Sequence, residues 1–199
     1  MIERLDQQLF IFINSHNSHF WDGIMNFMSM KLVWAPLYIA ILWYLAVYYK
    51  KKFPVILLFI VISVVLSDQL SVLIKNSVDR LRPCHEPSLQ GLIHLVNGYC
   101  GGEYGFVSSH ASNSFNVAVL SSLLVKKRWF SVFIIIWAGI VSYSRIYLGV
   151  HYPGDVIAGA LLGIFTGLTV YRFYNLTDKR FIAAGKFSGS QQEKTEIKA

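Results

Sequence analysis

The chain has 199 residues, of which 54% are hydrophobic and only 15% are charged, and its net charge is +7. A soluble domain carries about 25% charged residues, so this composition is poor in the groups that keep a protein surface in water. The apolar residues are gathered into long runs, and a run of roughly 20 such residues is enough to cross the hydrocarbon layer of a membrane. These features exclude an ordinary soluble protein.

The N-terminal segment, residues 1–30, contains apolar stretches that are too short to span a membrane. They predict one or two helices that lie in the outer interface of the bilayer. The alternative is a sixth, poor span over residues 7–28, although His16, His19 and Asp22 would make its insertion costly. The mixed charges at the start of this segment are not typical of a cleavable signal peptide.

Five longer apolar runs follow and predict membrane-spanning helices. They lie near residues 33–49, 54–74, 111–125, 130–147 and 156–174. The third run is the least hydrophobic, because serine and asparagine residues crowd its start, and we interpret it as a span whose polar face meets a cleft in the protein. The predicted fold class is an all-α integral membrane bundle of about five transmembrane helices, within residues 33–174.

Basic residues are concentrated on one side of this predicted bundle. Residues 50–52 and 126–128 are all basic, and six more basic residues lie from Arg172 to the end, so twelve of the 18 lysines and arginines share one side. The positive-inside rule makes that side cytoplasmic. Membrane topology thus accounts for the charge, and no nucleic-acid partner is expected. The loops at residues 76–109 and 148–155 are expected to face outward.

The end of the chain is polar and has few apolar residues. Such a composition cannot bury enough apolar surface to order a chain by itself. We therefore expect a single membrane domain over residues 1–180, followed by a disordered cytoplasmic tail over residues 181–199.

Three outward-facing segments bring cations and imidazoles to one membrane face. In chain order these groups are Lys75 and Arg82, then His110, then Arg145, His151 and Asp155. Lysine and arginine hold phosphate oxygens and stabilise the charge of a transferring phosphoryl group. A neutral imidazole is a good nucleophile near pH 7, and a carboxylate can hold its other ring nitrogen. The set therefore predicts phosphoryl transfer.

The spacing of the third segment suits a nucleophile and its carboxylate partner. Pro153 fits the first position of a helix, which would place Asp155 in the first turn and His151 just before the helix. A second imidazole, His110, has the chemistry to protonate the leaving oxygen. The sequence contains no H-E-x-x-H or cysteine-pair metal pattern, so we expect catalysis without a metal or another cofactor.

These residues fall in three motifs. The segments Lys75–Pro83, Val107–His110 and Ser144–Asp155 resemble the signatures K-x6-RP, PSGH and SR-x5-H-x3-D of the type-2 phosphatidic acid phosphatase superfamily. The first and third are complete, as KNSVDRLRP and SRIYLGVHYPGD, and the likeness extends over about residues 5–174. In the second motif, valine replaces the proline and Ser109 replaces the glycine. Serine keeps the backbone N–H for an anion but loses glycine's freedom at positive φ.

The resemblance implies a role for each matching residue. His151 would be the nucleophile, Asp155 its partner and His110 the general acid. The phosphate ligands would be Lys75, Arg82, Ser108 and Arg145, together with Ser109 at the glycine position of an anion-binding turn.

The implied activity is hydrolysis of a lipid phosphate through a phosphohistidine, at the periplasmic face of a bacterial inner membrane. The candidate substrates are undecaprenyl diphosphate, phosphatidylglycerophosphate, phosphatidate and a lipid A phosphate, and the sequence does not choose among them. One alternative is a phosphotransferase that passes the phosphate to another lipid, and another is a non-catalytic membrane scaffold. The expected partners are the lipid substrate and the bilayer, and no obligatory protein partner is evident.

Three further features predict structure rather than chemistry. Cys84 and Cys100 lie in the outer loop, and an oxidising periplasm would allow a disulfide between them. Asp68 lies inside the second span, where a structural hydrogen bond is expected. The fifth span has glycines at 159, 163 and 167, and this spacing on one helix face lets another helix approach closely.

Overall fold

The computed structural model describes the backbone of residues 2–196 and the side chains of residues 3–178. Within this part of the chain the regular structure is helical, apart from an isolated bridge between Leu81 and Tyr104. The α-helices are α1 (Ile2–Ser15), α2 (His19–Ser29), α3 (Ala35–Tyr49), α4 (Phe53–Val78), α5 (Ser109–Val125), α6 (Arg128–Tyr147) and α7 (Pro153–Glu196). The predicted all-α fold class is confirmed.

Helices α3 to α7 coincide with the five predicted apolar runs. Three helical stretches of the described chain are long and apolar enough to cross a membrane, namely Leu32–Val78, Arg128–Tyr147 and Pro153–Asp178. The first contains both α3 and α4, between which the chain turns at Lys50 with a φ of 47°. Helix α5 has only 17 residues and a polar start. The protein is thus a membrane helix bundle, and the number of five crossings stays a prediction.

The N-terminal segment forms two short helices. Helix α1 has 14 residues, or about 21 Å of length, and the hydrocarbon layer is about 30 Å thick. The helical hydrogen bonding is interrupted before α2, where the Ser18 hydroxyl accepts a hydrogen bond from the Trp21 N–H. A continuous span over residues 7–28 is therefore not formed. Helix α1 packs on α6 and α7, and α2 packs on α6.

Helix α7 runs past the predicted span. Its backbone is helical to Glu196, and residues 197–199 lie outside the described residues. The disordered cytoplasmic tail over residues 181–199 stays a prediction. A domain boundary at residue 180 stays a prediction.

Helix α5 lies at the centre of the bundle and contacts α4, α6 and α7. Its closest approach is to α7, because the glycines of α7 face it. A Cβ atom at Gly159 would lie 2.5 Å from the Ser108 carbonyl oxygen, and one at Gly163 would overlap the Ser112 carbonyl oxygen. The predicted close packing along this glycine row is confirmed.

The polar start of α5 is used for hydrogen bonds to its neighbours. Ser67 and Ser112 are joined through their hydroxyls at 2.7 Å. The Asn116 amide donates to Thr166 of α7 at 2.8 Å and to Ser63 of α4 at 2.9 Å. Hydrogen bonds between membrane helices contribute about 0.6 kcal/mol on average. This seam fixes the register of α4, α5 and α7, which carry most of the predicted site.

The basic clusters and the predicted site lie at opposite ends of the bundle. Lys52, which follows α3, forms an ion pair with Asp178 of α7 at 2.8 Å. Pro153, beside the predicted nucleophile, begins the same helix, and the stretch Pro153–Asp178 has 26 residues, or about 39 Å of length. This separation is long enough to place the two ends on different sides of a bilayer.

Candidate active site

The structure brings the predicted site residues together at the end of the bundle where α4 ends and α5 and α7 begin. Lys75 lies in the last turn of α4, Arg82 in the following loop, and Arg145 in the last turn of α6. Ser108 caps α5 by accepting a hydrogen bond from the Ala111 N–H at 3.5 Å. The remaining residues are Ser109, His110, His151 and Asp155.

His151 and Asp155 form a buried pair. Nδ1 of His151 lies 3.4 Å from Oδ2 of Asp155, and the two residues are 1% and 0% exposed. The backbone N–H of Tyr152 donates to the same oxygen at 3.0 Å. Helix α7 begins at Pro153, so His151 precedes the helix and Asp155 lies in its first turn, as the sequence predicted.

The surroundings of His151 define its tautomer. Nη1 of Arg82 lies 3.0 Å from Nε2 of His151, and a guanidinium can only donate hydrogen bonds. Nε2 is therefore the unprotonated nitrogen, and Nδ1 carries the proton towards Asp155. Burial, together with the positive charges of Arg82, Arg145 and Lys75, lowers the pKa of His151 well below its ordinary value. The imidazole is thus neutral, and its lone pair faces the cations.

Two buried arginines have unused hydrogen-bond donors. Arg82 is 8% exposed and Arg145 is 6% exposed. Nη1 of Arg82 also donates to the Val150 carbonyl oxygen at 3.1 Å, and Nη1 of Arg145 donates to the Ser29 hydroxyl. Among the residues that the structure describes, Nε of each arginine has no hydrogen-bond partner. Leaving a buried charged donor unpaired is costly. The oxygens of a bound anion would accept hydrogen bonds from the Nε–H groups of both arginines.

The altered second motif has a local structural explanation. Ser109 is the first residue of α5 and is not among the residues with positive φ, so glycine's freedom is not needed at this position. Its hydroxyl accepts hydrogen bonds from Ser71 at 2.8 Å and from Nζ of Lys75 at 3.3 Å. Ser109 therefore orients Lys75 at the end of α4.

Two residues outside the predicted set, Arg80 and Asp6, contact this site. Arg80 forms ion pairs with Asp155 at 2.8 Å and with Asp6 of α1 at 2.7 Å. The signal available in the sequence was that Arg80 is a basic residue within the first motif, two positions before Arg82. Nothing in the sequence pointed to Asp6, which is 74 residues away from Arg80.

The outer loop is attached beside Arg82. The backbone N–H of Arg82 donates to the Glu103 carbonyl oxygen at 2.9 Å, and the backbone N–H of Gly105 donates to the Arg80 carbonyl oxygen at 2.7 Å. A disulfide joins Cys84 and Cys100, whose Cα atoms are 5.9 Å apart. His85 lies close to these two cysteines, but both thiols are consumed in the disulfide. This crosslink orders the loop next to the site.

Asp68 has the structural contact that the sequence predicted. The Asn113 amide donates a hydrogen bond to Oδ1 of Asp68 at 2.9 Å. This contact joins α4 and α5 two turns away from Lys75 and adds to the seam between those helices.

His110 stands between two cavities. One has a volume of about 550 Å³, lies between α3, α4, α5 and α6, and is walled mainly by apolar side chains. The other has a volume of about 300 Å³, lies under the outer loop, and is lined by polar groups that include Asn26, Asn97, Tyr99 and Arg145. His110 lines both, as do Ser29 and Lys31. A ligand with a polar head and apolar chains fits such an arrangement.

A membrane helix bundle with a buried histidine–carboxylate pair beside buried arginines defines the class of protein, a membrane enzyme that acts on a phosphate. The chain belongs to the PAP2 superfamily, whose family model matches residues 53–179. This match confirms the resemblance seen in the three motifs.

Curated relatives are similar over most of the chain. A lipid A 4'-phosphatase of Bacteroides thetaiotaomicron is 41% identical over 170 residues, which are 84% of this chain and 76% of the relative. A lipid A 4'-phosphatase of Porphyromonas gingivalis is 33% identical over 187 residues, which are 92% and 78% of the two chains. The predicted class, a membrane phosphatase of lipid phosphates, is confirmed.

The fold is shared with a solved structure. The crystal structure of LpxE from Aquifex aeolicus superimposes with a TM-score of 0.66 at 24% identity, covering 84% of this chain and 95% of the other. The arrangement of helices is therefore that of a known membrane fold.

Proposed function

We propose that the protein removes a phosphate from a phosphorylated glycolipid of the lipid A class, by way of a phosphohistidine on His151. The observation that carries the chemistry is the position of Nε2 of His151, an unprotonated nitrogen that faces Arg82 at 3.0 Å. This arrangement places a nucleophile beside the cations that bind a phosphate dianion, within one buried site.

In the first step, phosphate oxygens bind Lys75, Arg82 and Arg145, and Arg82 leaves the nitrogen that it covers. The lone pair of Nε2 of His151 forms a bond to phosphorus as the bond from phosphorus to the lipid oxygen breaks. In the free site, burial and the positive charges of Arg145 and Lys31 lower the pKa of His110 to about 2. The incoming phosphate dianion opposes these charges, so His110 takes up a proton from solvent as the lipid binds. It then gives this proton to the lipid oxygen, and the lipid leaves as an alcohol. The cations stabilise the charge of the transferring group without further rearrangement.

In the second step, the now neutral His110 takes a proton from water as the water oxygen attacks phosphorus. The bond between phosphorus and Nε2 breaks, inorganic phosphate leaves, and both histidines return to their starting forms. Throughout, Asp155 accepts the hydrogen bond from Nδ1 of His151 and balances the positive charge that the ring gains on phosphorylation. No metal is required for either step.

The choice of a glycolipid rests on two supports. Two relatives that align with most of the chain are named lipid A 4'-phosphatases. In addition, His110 adjoins two cavities, one mainly apolar and one with a mixed lining that includes several polar side chains. The leaving group that His110 protonates must lie beside it. A glycolipid would occupy both cavities, with its sugar in the mixed one and its acyl chains in the apolar one.

We place the site on the periplasmic side of a bacterial inner membrane. Support comes from the basic clusters, because Lys52 and the residues at 126–128 lie at the end of the bundle remote from His151. The positive-inside rule assigns that end to the cytoplasm.

The experiment is phosphate release by the purified protein from a panel of lipid phosphates in detergent, with His151→Ala as the matched inactive variant. The panel contains a lipid A phosphate, undecaprenyl diphosphate, phosphatidylglycerophosphate and phosphatidate. We expect release from the lipid A phosphate without any lipid acceptor, full activity in excess EDTA, and inhibition by vanadate. Activity lost in EDTA and restored by magnesium would contradict the mechanism, and release that requires a lipid acceptor would indicate a phosphotransferase. Preference for another lipid of the panel would overturn the assignment of a lipid A phosphate as the substrate.

A further inference from the structure

We propose that Arg80 and Asp6 are positioning residues that hold Asp155, and through it His151, in the geometry for attack on phosphorus. The inference rests on the proposed phosphohistidine mechanism. Arg80 occupies one of the unspecified positions of the first motif, and Asp6 lies before residues 53–179, the part that the family model matches. Neither residue is therefore identified by the motifs.

The contact of Arg80 with Asp155 sets the orientation of the carboxylate. Nη1 of Arg80 donates to Oδ1 of Asp155 at 2.8 Å. This leaves Oδ2 for the Tyr152 N–H at 3.0 Å and for Nδ1 of His151 at 3.4 Å. The Asp155 side chain is fully buried, and a buried carboxylate needs a paired charge as well as hydrogen bonds. Arg80 provides the charge while directing Oδ2 at the imidazole.

Asp6 fixes Arg80 from the opposite side. Its Oδ2 accepts from Nη2 of Arg80 at 2.7 Å, and its Oδ1 accepts from the Gly154 N–H at 2.7 Å. One carboxylate of α1 thus holds both Arg80 and the first turn of α7. The approach is close, because a Cβ atom at Gly154 would lie 2.7 Å from Oδ2 of Asp6 and would displace that carboxylate.

Packing supports the same arrangement. The guanidinium carbon of Arg80 lies 4.2 Å from the centre of the Tyr152 ring, a cation–π contact. The Tyr152 ring packs edge-on against Phe10 of α1, with 5.4 Å between ring centres. Neither Arg80 nor Asp6 lines either cavity beside His110. They act on catalysis through Asp155 and not through contact with the lipid.

The experiment is a double-mutant cycle measured as kcat, KM and the rate of phosphoenzyme formation on a lipid phosphate in detergent. The variants are Arg80→Met, Arg80→Lys and Asp6→Asn, each made alone and in combination with Asp155→Asn. For Arg80→Met we expect kcat to fall about 10²-fold, because small displacements of catalytic groups have effects of this size, while KM changes little. Arg80→Lys should retain more activity, since it keeps the charge.

The combination with Asp155→Asn separates positioning from a general loss of structure. If Arg80 and Asp6 act through Asp155, their substitution should change kcat less than about twofold once that carboxylate is gone. Equal fold losses in both backgrounds would overturn the proposal, because they would indicate structural damage that is independent of Asp155. An unchanged kcat in Arg80→Met would overturn it as well.

Asp22→Asn is the matched control. Asp22 lies in the other N-terminal helix and accepts hydrogen bonds from His94 and Tyr147, neither of which belongs to the site. Its substitution weakens contacts in the first turn of α2, at the end of that helix opposite Ser29, which bonds to Arg145. We therefore expect kcat to stay within about twofold of wild type. A loss as large as in Asp6→Asn would assign the effect to helix docking and refute the specific role. Failure of the proposed function would appear separately, as phosphate release that persists in His151→Ala.

Discussion

Nη1 of Arg82 lies 3.0 Å from Nε2 of His151, so the guanidinium covers the nitrogen that we assign as the nucleophile. The same arginine has a buried Nε without a partner among the described residues. A phosphate that bonds to Arg82 would satisfy this donor and draw the guanidinium away from the imidazole. Arg82 therefore preserves the reactive tautomer before the substrate binds and becomes a phosphate ligand afterwards.

The first prediction concerns pH. Because burial and the neighbouring cations lower the pKa of His151, the imidazole stays neutral, and able to attack, at pH values below its ordinary pKa of about 6.5. In Arg82→Gln one of these positive charges is absent, so the pKa of His151 should rise. The acidic limb of the kcat/KM profile, which reports the free enzyme, should then move to higher pH.

The measurement compares the two profiles with the same lipid phosphate, because ionisation of the substrate contributes equally to both. The magnitude of kcat/KM will fall in Arg82→Gln because phosphate binds more weakly. The prediction is therefore tested by the pH at which the acidic limb lies and not by its height. A limb that stays in place or moves to lower pH would contradict the assignment of His151 as the group that must be neutral.

The second prediction separates the two histidines. His151→Ala should abolish both turnover and the phosphoenzyme, whereas His110→Ala should slow turnover by about 10²–10⁴, the range of general acid catalysis. A substrate whose leaving group needs no proton should recover part of the loss in His110→Ala. The measurement is acid quenching with labelled lipid, followed by digestion and location of the acid-labile phosphate. Label on His110 would reverse the roles of the two histidines. Wild-type turnover in His151→Ala would refute the assignment of His151 as the nucleophile.

The third prediction concerns Asp155. Asp155→Asn keeps the shape of the side chain, but its amide can donate to Nδ1 and thus favour the wrong tautomer of His151. The proton would then lie on Nε2, the nitrogen that must attack. We expect a loss of at least about 10²-fold in kcat with a modest change in KM, measured by steady-state kinetics. A change confined to KM would indicate that Asp155 serves lipid binding instead.

Local sequence patterns were sufficient to predict the membrane class, the positions of α3 to α7 and the residues of the three motifs. Hydropathy and motif spacing are properties of neighbouring residues, so a single sequence displays them. The ion pair between Asp6 and Arg80 joins residues 74 positions apart and depends on how α1 docks against α7.

The fourth prediction concerns topology. The basic clusters predict that the loop with Cys84 and Cys100 faces outward. After mild reduction, a membrane-impermeant thiol reagent should label these cysteines in intact spheroplasts. A variant with both cysteines changed to serine is the control for specificity. Labelling that appears only after lysis would contradict the proposed orientation.

The fifth prediction tests the close packing of α5 and α7. Gly163→Ala places a Cβ atom against the Ser112 carbonyl oxygen, where backbone on both sides leaves no room to adjust. Overpacking of this kind typically destabilises a protein by about 1–3 kcal/mol. Gly139→Ala in α6 is the matched control, because a Cβ atom there meets nothing within 4 Å and alanine favours a helix over glycine by up to about 1 kcal/mol. Thermal unfolding in detergent should therefore give a lower midpoint for Gly163→Ala and an equal or higher one for Gly139→Ala. Equal midpoints for the two variants would show that the glycine row is not required for the contact between these helices.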